Sequence, residues 1–133
     1  MSTEPDGGAV TGLPRIWLRL EGLAALVAGI AGYRAAGGDW LWLVPVLLLV
    51  DVSMVGYLAG PRLGAVTYNI AHTWFTAVAV LGAGLVLAVP VLQLAGWVLI
   101  AHVGGDRLAG YGLKYPTAFG DTHLGRIGRR ISN

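Results

Sequence analysis

Five ionisable side chains stand inside otherwise apolar stretches of this sequence: Glu21, Asp51, His72, His102 and Asp106. Asn69 precedes His72 by three positions and His102 precedes Asp106 by four, so each pair lies on one face of a helix. Ionisable groups within a bilayer are costly and usually face a partner or a cavity. We therefore treat the five residues as candidate catalytic residues of one polar pocket.

General acid–base chemistry on a lipophilic substrate is the first function that these residues predict. A carboxylic acid in an apolar wall stays protonated near neutral pH and can protonate an alkene or an epoxide. Asp51 or Glu21 would be this acid, with His72, His102 and Asp106 as its proton partners. Ring faces can stabilise a carbocation, and the expected substrate contacts are Asn69, Tyr57, Tyr68, Trp74, Arg107, Lys114 and Tyr115. The predicted enzyme is a membrane cyclase, isomerase or epoxide-opening enzyme for isoprenoid (terpenoid) or lipid-like substrates. This function assigns no metal ligand and leaves the cofactor open.

Three other functions fit the same residues. A metal-dependent hydrolase or oxidase would use both histidines with Asp51, Glu21 or Asp106, a ligand set that zinc or iron accepts. A transporter or channel would use them to relay protons or bind a cation, and its path would need a homo-oligomer to be complete. In a non-catalytic accessory subunit the polar residues would only hold the helices in register.

The composition predicts a membrane protein. Of 133 residues, 56% are hydrophobic and 12% are charged, whereas soluble domains carry about 25% charged residues. The sequence has no cysteine, which excludes disulfides and thiolate metal sites. It also lacks the phosphate-loop, nucleophile-elbow and HExxH motifs. The membrane topology accounts for the basic residues, so we expect a lipid or a lipophilic small molecule as partner and no nucleic acid.

Four apolar stretches predict an all-α, integral membrane four-helix bundle with spans at about 17–36, 40–59, 65–88 and 91–109. Residues 1–14 would form a disordered tail, 15–109 the bundle, and 110–133 a basic cytoplasmic segment. In the first helix, small residues at three- and four-residue spacings permit close packing, namely Ala25, Ala28, Gly29 and Gly32. Pro45 predicts a kink in the second helix, and Pro90 a tight hairpin between the last two.

The basic residues predict the orientation of the bundle in a bacterial inner membrane. Arg34 lies on one side of the predicted spans. The other side carries Arg15, Arg19, Arg62, Arg107, Lys114, Arg126, Arg129 and Arg130. Positive charge marks the cytoplasmic side, so both termini should be cytoplasmic and the polar pocket should open there. We expect the glycine- and tyrosine-rich segment after the last helix to cover this pocket as a lid, and an anchor to anionic lipid is the alternative.

Several segments together resemble one family of small bacterial integral membrane proteins. They are RLEG at 19–22, DVSMVGYLAGPR at 51–62, Tyr68-Asn69 with His72, HVGGDR at 102–107, GYGLKYP at 110–116 and DTHLGRIG at 121–128. With these residues the chain resembles the family catalogued as domain of unknown function 4260, over about 18–130. The resemblance implies a four-span membrane protein and implies no particular activity.

Overall fold

The computed structural model describes residues 8–127. Its elements are α1 (Gly12–Ala35), α2 (Trp40–Leu49), a 3₁₀ helix (Val50–Ala59), α3 (Pro61–Ala71), α4 (Trp74–Val86), α5 (Pro90–Ala109), β1 (Asp121–Thr122) and β2 (Gly125–Arg126). The described chain is therefore mostly helical, as the sequence predicts. Residues 1–7 of the predicted tail and 128–133, which include Arg129 and Arg130, lie outside the described residues.

Two helical segments are long and apolar enough to cross a membrane: α1, and the run Trp40–Ala59 formed by α2 and the 3₁₀ helix. The pair α3 and α4 makes a third candidate if it counts as one span, although it bends by 41° at its break. Large apolar side chains cover the outside of these helices, and Leu58, Phe75 and Val86 are 89%, 81% and 85% exposed. Such a surface is unfavourable in water and suits contact with lipid.

Helix α5 occupies the centre of the packing and contacts α1, α2 and α4. Glycines bring α1 and α5 together, because a Cβ atom at Gly29 would lie 2.5 Å from the backbone nitrogen of Ala101. A Cβ atom at Gly22 would lie 2.7 Å from the carbonyl oxygen of Gly104. Gly29 is one of the small residues predicted to permit close approach, and in the structure its position lies against α5.

The start of α1, the end of the 3₁₀ helix and the end of α5 meet at one end of the molecule. There Arg15 Nε donates to the carbonyl oxygen of Leu124 at 2.6 Å. The Tyr57 and Phe119 rings contact each other edge to face, with centroids 5.1 Å apart. Arg34 lies at the opposite end of α1. The segment after α5 is therefore folded back against the end of the helices that holds most of the positive charge.

The bounds of the first two helices differ from the prediction. Helix α1 begins at Gly12, inside the segment predicted to be a tail, and not at Trp17. The second predicted helix is α-helical through Pro45 but continues from Val50 as a 3₁₀ helix of 10 residues. Long 3₁₀ stretches are uncommon and often mark a functional position. Asp51 is the second residue of this one.

The prediction of one continuous helix at 65–88 is wrong. The helix is interrupted at His72 and Thr73, between α3 and α4. The Tyr68 carbonyl oxygen accepts the backbone N–H of His72 at 3.0 Å and its ring Nδ1–H at 2.8 Å. Arg107 Nη2 donates to the His72 carbonyl oxygen at 3.0 Å. Side chains thus satisfy backbone groups that the break exposes, as a buried helix end requires.

The segment after α5 contains a β-hairpin, which the sequence did not predict. Strand β1 pairs with β2 in antiparallel register, Asp121 opposite Arg126. Asn69 of α3 binds both backbone groups of Lys114: its Nδ2 donates to the carbonyl oxygen at 2.8 Å, and its Oδ1 accepts the N–H at 2.7 Å. This pair of hydrogen bonds anchors the segment to the helices.

Candidate functional site

Four side chains from three helical elements meet at the break between α3 and α4. Asp51 comes from the 3₁₀ helix, His72 caps the C-terminus of α3, and His102 and Asp106 lie one turn apart on α5. We call these four residues the His/Asp cluster. The sequence predicted all four as catalytic residues, and the structure brings them into contact.

The donor atoms of the His/Asp cluster are close together. The Nε2 atoms of His72 and His102 lie 3.1 Å apart, and Asp51 Oδ1 lies 3.3 Å from each of them. Asp106 Oδ2 lies 3.6 Å from His72 Nε2 and 3.5 Å from His102 Nε2. The two Nε2 atoms therefore face each other, and one carboxylate oxygen of Asp51 and one of Asp106 each lie near both of them.

Backbone carbonyl groups determine which ring nitrogens carry the protons. His72 Nδ1 lies 2.8 Å from the Tyr68 carbonyl oxygen, and His102 Nδ1 lies 2.8 Å from the Leu47 carbonyl oxygen. A carbonyl oxygen only accepts hydrogen bonds, so each Nδ1 carries the hydrogen and donates it. In a neutral ring the Nε2 atom then presents a lone pair. The His/Asp cluster thus directs two lone pairs and two carboxylates at one another, an arrangement that either shared protons or a bound cation would stabilise.

The spacing of Asp51, His72 and His102 fits a single metal ion. Neighbouring donor atoms about 2.0–2.2 Å from a shared ion lie about 2.8–3.6 Å apart in octahedral or tetrahedral geometry, and the three distances here are 3.1, 3.3 and 3.3 Å. Two imidazoles with a carboxylate are ligands for zinc or iron. A backbone carbonyl on the second ring nitrogen is a usual partner of a metal-binding histidine.

Asp106 is the fourth candidate ligand, and Tyr68 orients it. The Tyr68 hydroxyl donates to Asp106 Oδ2 at 3.1 Å. The Tyr68 ring also stacks on the His72 ring, with centroids 3.7 Å apart. Tyr68 is 2% exposed and His72 is fully buried, so this side of the cluster is rigidly packed.

The carboxylates lie on the open side of the His/Asp cluster. The side chain of Asp51 is 37% exposed and that of Asp106 is 19% exposed, against 9% for His102. A cavity of about 270 Å³ adjoins them, lined by Asp51, Met54, Tyr68, Asp106, Tyr111, Lys114, Phe119 and Ile127. A ligand in this cavity would therefore contact the carboxylates and reach the face of the cluster that is not occupied by protein.

Lys114 places a positive charge in the same cavity. It is 4% exposed, and its Nζ donates to the Phe119 carbonyl oxygen at 2.7 Å. The same atom lies 3.6 Å from the Phe119 ring centroid and 4.8 Å from that of Tyr68. Burial lowers the pKa of Lys114 below its usual value, and the negative charges of Asp106 and Asp51 oppose this shift.

Some predicted site residues lie elsewhere. Glu21 and Trp74 line a separate cavity of about 290 Å³ together with Arg107. The Tyr115 hydroxyl donates to the Gly8 carbonyl oxygen at 3.2 Å, away from the cluster. Tyr57 contacts Phe119, and its buried hydroxyl has no hydrogen-bond partner within residues 8–127. Glu21 and Trp74 therefore line a second cavity, and neither Tyr57 nor Tyr115 lines the cavity beside the His/Asp cluster.

His123 has a role that the sequence did not assign. Its Nδ1 accepts the backbone N–H of Leu113 at 2.8 Å. Burial, with a smaller contribution from the positive charge of Arg107, lowers the pKa of His123 below its usual value. The residue is therefore held neutral in the folded segment. The dense pattern of Asp, His and Gly at 121–125 was the available signal for it.

An all-α fold with two or three segments able to cross a membrane, and a His/Asp cluster between them, defines a helical protein of the membrane class. Residues 15–127 match the family described as Domain of unknown function (DUF4260), and the chain belongs to this family. The match confirms the resemblance seen in the sequence. In comparisons with curated proteins and with solved structures, nothing matches the chain.

Proposed function

We propose that the protein is a metal-dependent membrane enzyme in which Asp51, His72 and His102 bind one divalent ion. The observation that carries this proposal is the convergence of both Nε2 lone pairs and Asp51 Oδ1 within 3.1–3.3 Å of one another. Asp106 would be a fourth ligand or would orient the substrate. The ion would supply Lewis acidity towards a substrate oxygen. Zinc would indicate a hydrolase and iron an oxidase.

Charge balance favours the metal over the acid–base cyclase or isomerase that the sequence first predicts. Two carboxylates and two neutral imidazoles carry a net charge of about −2, and one divalent ion neutralises it. In the acid–base alternative, protons must replace the ion and be shared between the Nε2 atoms and the carboxylates. Both rings are at most 9% exposed, and a charge on a buried ring is stable only when it is paired. A metal measurement on the whole protein separates the two functions.

The metal content of the purified full chain tests the proposal. We expect about one zinc or iron ion per chain after purification without chelators, and a large loss of this metal in His72→Ala and Asp51→Asn. The loss of affinity should exceed the about 10- to 100-fold that removal of an outer-shell partner causes. His123→Gln is the matched control, since His123 is the one histidine of three outside the His/Asp cluster. A wild-type protein that binds neither metal, or a His72→Ala variant that keeps it, would contradict the proposal.

For the arrangement in the membrane, we propose four spans with both termini in the cytoplasm. Helix α5 is not among the segments that qualify as spans by length and apolar composition. We propose it as the fourth span because its 20 residues reach about 30 Å and its polar residues His102 and Asp106 belong to the His/Asp cluster. The positive charges support the orientation. Among the basic residues of the described range 8–127, Arg34 stands alone at one end, and the other end has Arg15, Arg19, Arg62, Arg107, Lys114 and Arg126. The cavity beside the cluster would then open to the cytoplasm of a bacterial cell.

Single cysteines test this orientation cleanly because the natural chain has none. Ala35 and Pro116 are exposed and lie at opposite ends of the molecule. We expect a membrane-impermeant thiol reagent to label Ala35→Cys in intact cells, and to label Pro116→Cys only after the cells are permeabilised. The reverse pattern, or labelling of both in intact cells, would refute the proposed orientation.

A further inference from the structure

The cavity beside the His/Asp cluster is lined by charged groups of both signs. The carboxylates of Asp51 and Asp106 and the side chain of Lys114 are all part of its lining. Within residues 8–127 the Lys114 ammonium forms no ion pair, and its hydrogen bond goes to the neutral carbonyl oxygen of Phe119. A buried ammonium without an anionic partner is unfavourable. Its position therefore fits a site completed by a negatively charged ligand.

The charge balance of the proposed metal centre leads to the same conclusion. A divalent ion together with two neutral imidazoles, Asp51 and Asp106 is neutral overall, so Lys114 leaves the cavity with a net charge of about +1. Asn69 holds the Lys114 backbone through two hydrogen bonds of 2.7 and 2.8 Å. The ammonium group is thus held in the cavity and not on a mobile surface loop.

We infer that this cavity binds the phosphate headgroup of a membrane amphiphile, with one oxygen at the His/Asp cluster and another at Lys114 Nζ. Lysine is a common phosphate-binding residue because its ammonium is a compact charge with three donors. A volume of about 270 Å³ accommodates a headgroup but not a complete lipid. Met54, Phe119 and Ile127 supply apolar surface in the same cavity for the first part of a chain. The inference rests on the proposed metal centre for one of its two phosphate contacts.

Dodecyl phosphate is a suitable probe because it combines a phosphate group with a single apolar chain. Its binding would be measured on the full chain in a neutral detergent, with inorganic phosphate and dodecyltrimethylammonium as comparison ligands. We expect one molecule of dodecyl phosphate per chain, at least about tenfold weaker binding of inorganic phosphate, and no specific binding of the cationic amphiphile. Equal binding of inorganic and dodecyl phosphate would overturn the inference of an amphiphilic ligand and indicate a free oxyanion instead.

Variants of Lys114 test its part in the site. Lys114→Met keeps the length of the side chain and should weaken dodecyl phosphate binding about 10- to 100-fold, as loss of a charge-assisted hydrogen bond does. Lys114→Arg should recover part of this loss. Arg126→Gln is the matched control, since it removes a positive charge that pairs with Asp121 at the surface. Unchanged affinity in Lys114→Met, or an equal loss in Arg126→Gln, would overturn the inference.

Metal content separates failure of this inference from failure of the proposed function. Lys114→Met should keep one metal ion per chain, because Lys114 is not a ligand of the His/Asp cluster. If the wild-type protein binds metal but its affinity for dodecyl phosphate does not depend on Lys114, the headgroup inference fails alone. If the wild-type protein binds no metal but its affinity for dodecyl phosphate still depends on Lys114, the proposed metal centre is refuted and the phosphate contact with Lys114 is supported.

Discussion

Asn69 helps to hold the segment after α5 against the helices through two hydrogen bonds, and its replacement by alanine has a calculable effect. Asn69→Ala removes two hydrogen bonds to the Lys114 backbone, of 2.8 and 2.7 Å. At about 1 kcal/mol for each bond, the docked segment loses about 2 kcal/mol, which increases the population of the undocked form about 30-fold. Lys114 would leave the cavity in that form, so binding of an anionic ligand should also weaken.

Hydrogen–deuterium exchange of residues 113–123 measures this effect. The amides of Tyr115 and His123 are bonded within the segment, to the carbonyl oxygens of Asp121 and Leu113. We expect their exchange in Asn69→Ala to be about 30-fold faster than in the wild type, in proportion to the opening equilibrium. Gln93→Ala is the matched control, because it deletes an amide of α5 that donates to the Gly84 carbonyl oxygen of α4, at the other end of α5. Wild-type exchange rates in Asn69→Ala, or equal acceleration in both variants, would refute the reasoning.

Two further predictions concern pH and helix packing. The pKa of His123 is lowered from 6.5 in the folded segment, so the unfolded segment takes up a proton first as the pH falls below about 6.5. Docking of the segment is therefore complete above this pH and weakens below it. Exchange of residues 113–123 should accelerate as the pH falls, and His123→Gln should abolish this pH dependence. Gly29→Ala places a Cβ atom 2.5 Å from the backbone of Ala101, whereas a Cβ atom at Gly82 meets nothing within 4 Å. Thermal unfolding in detergent should show a loss of about 1–3 kcal/mol for Gly29→Ala and none for Gly82→Ala, and equal melting temperatures would contradict this packing.

The sequence predicted the helical class and the residues of the His/Asp cluster, because both depend on local composition. An apolar run predicts a helix, and an ionisable residue inside such a run predicts a buried partner. His102 and Asp106 are four residues apart on one helix, so their common face followed directly from helical geometry. Asp51 and His72 lie on different helical segments, so their contact could be predicted only from the similar depth of the two residues in the predicted bundle.

The interruptions of the helices were not predictable, since they depend on tertiary contacts. The break at His72 relies on Arg107, which is 35 residues away in sequence and donates to the His72 carbonyl oxygen. The β-hairpin has strands of two residues each, too short for any alternation of polar and apolar residues to show. The position of Lys114 in the cavity depends on Asn69, 45 residues earlier. Pairings at such separation leave no periodic signal in one sequence.

X-ray absorption at the metal edge of the purified protein tests the central claim most directly. The proposed centre predicts two imidazole nitrogens and at least one carboxylate oxygen at about 2.0–2.2 Å from a single ion. In His102→Ala, measured with added metal at saturation, the multiple-scattering signal of the imidazole rings should fall by half, and in His123→Gln it should remain complete. A shell of oxygen atoms without imidazole scattering, or identical spectra for wild type and His102→Ala, would contradict a metal centre formed by Asp51, His72 and His102.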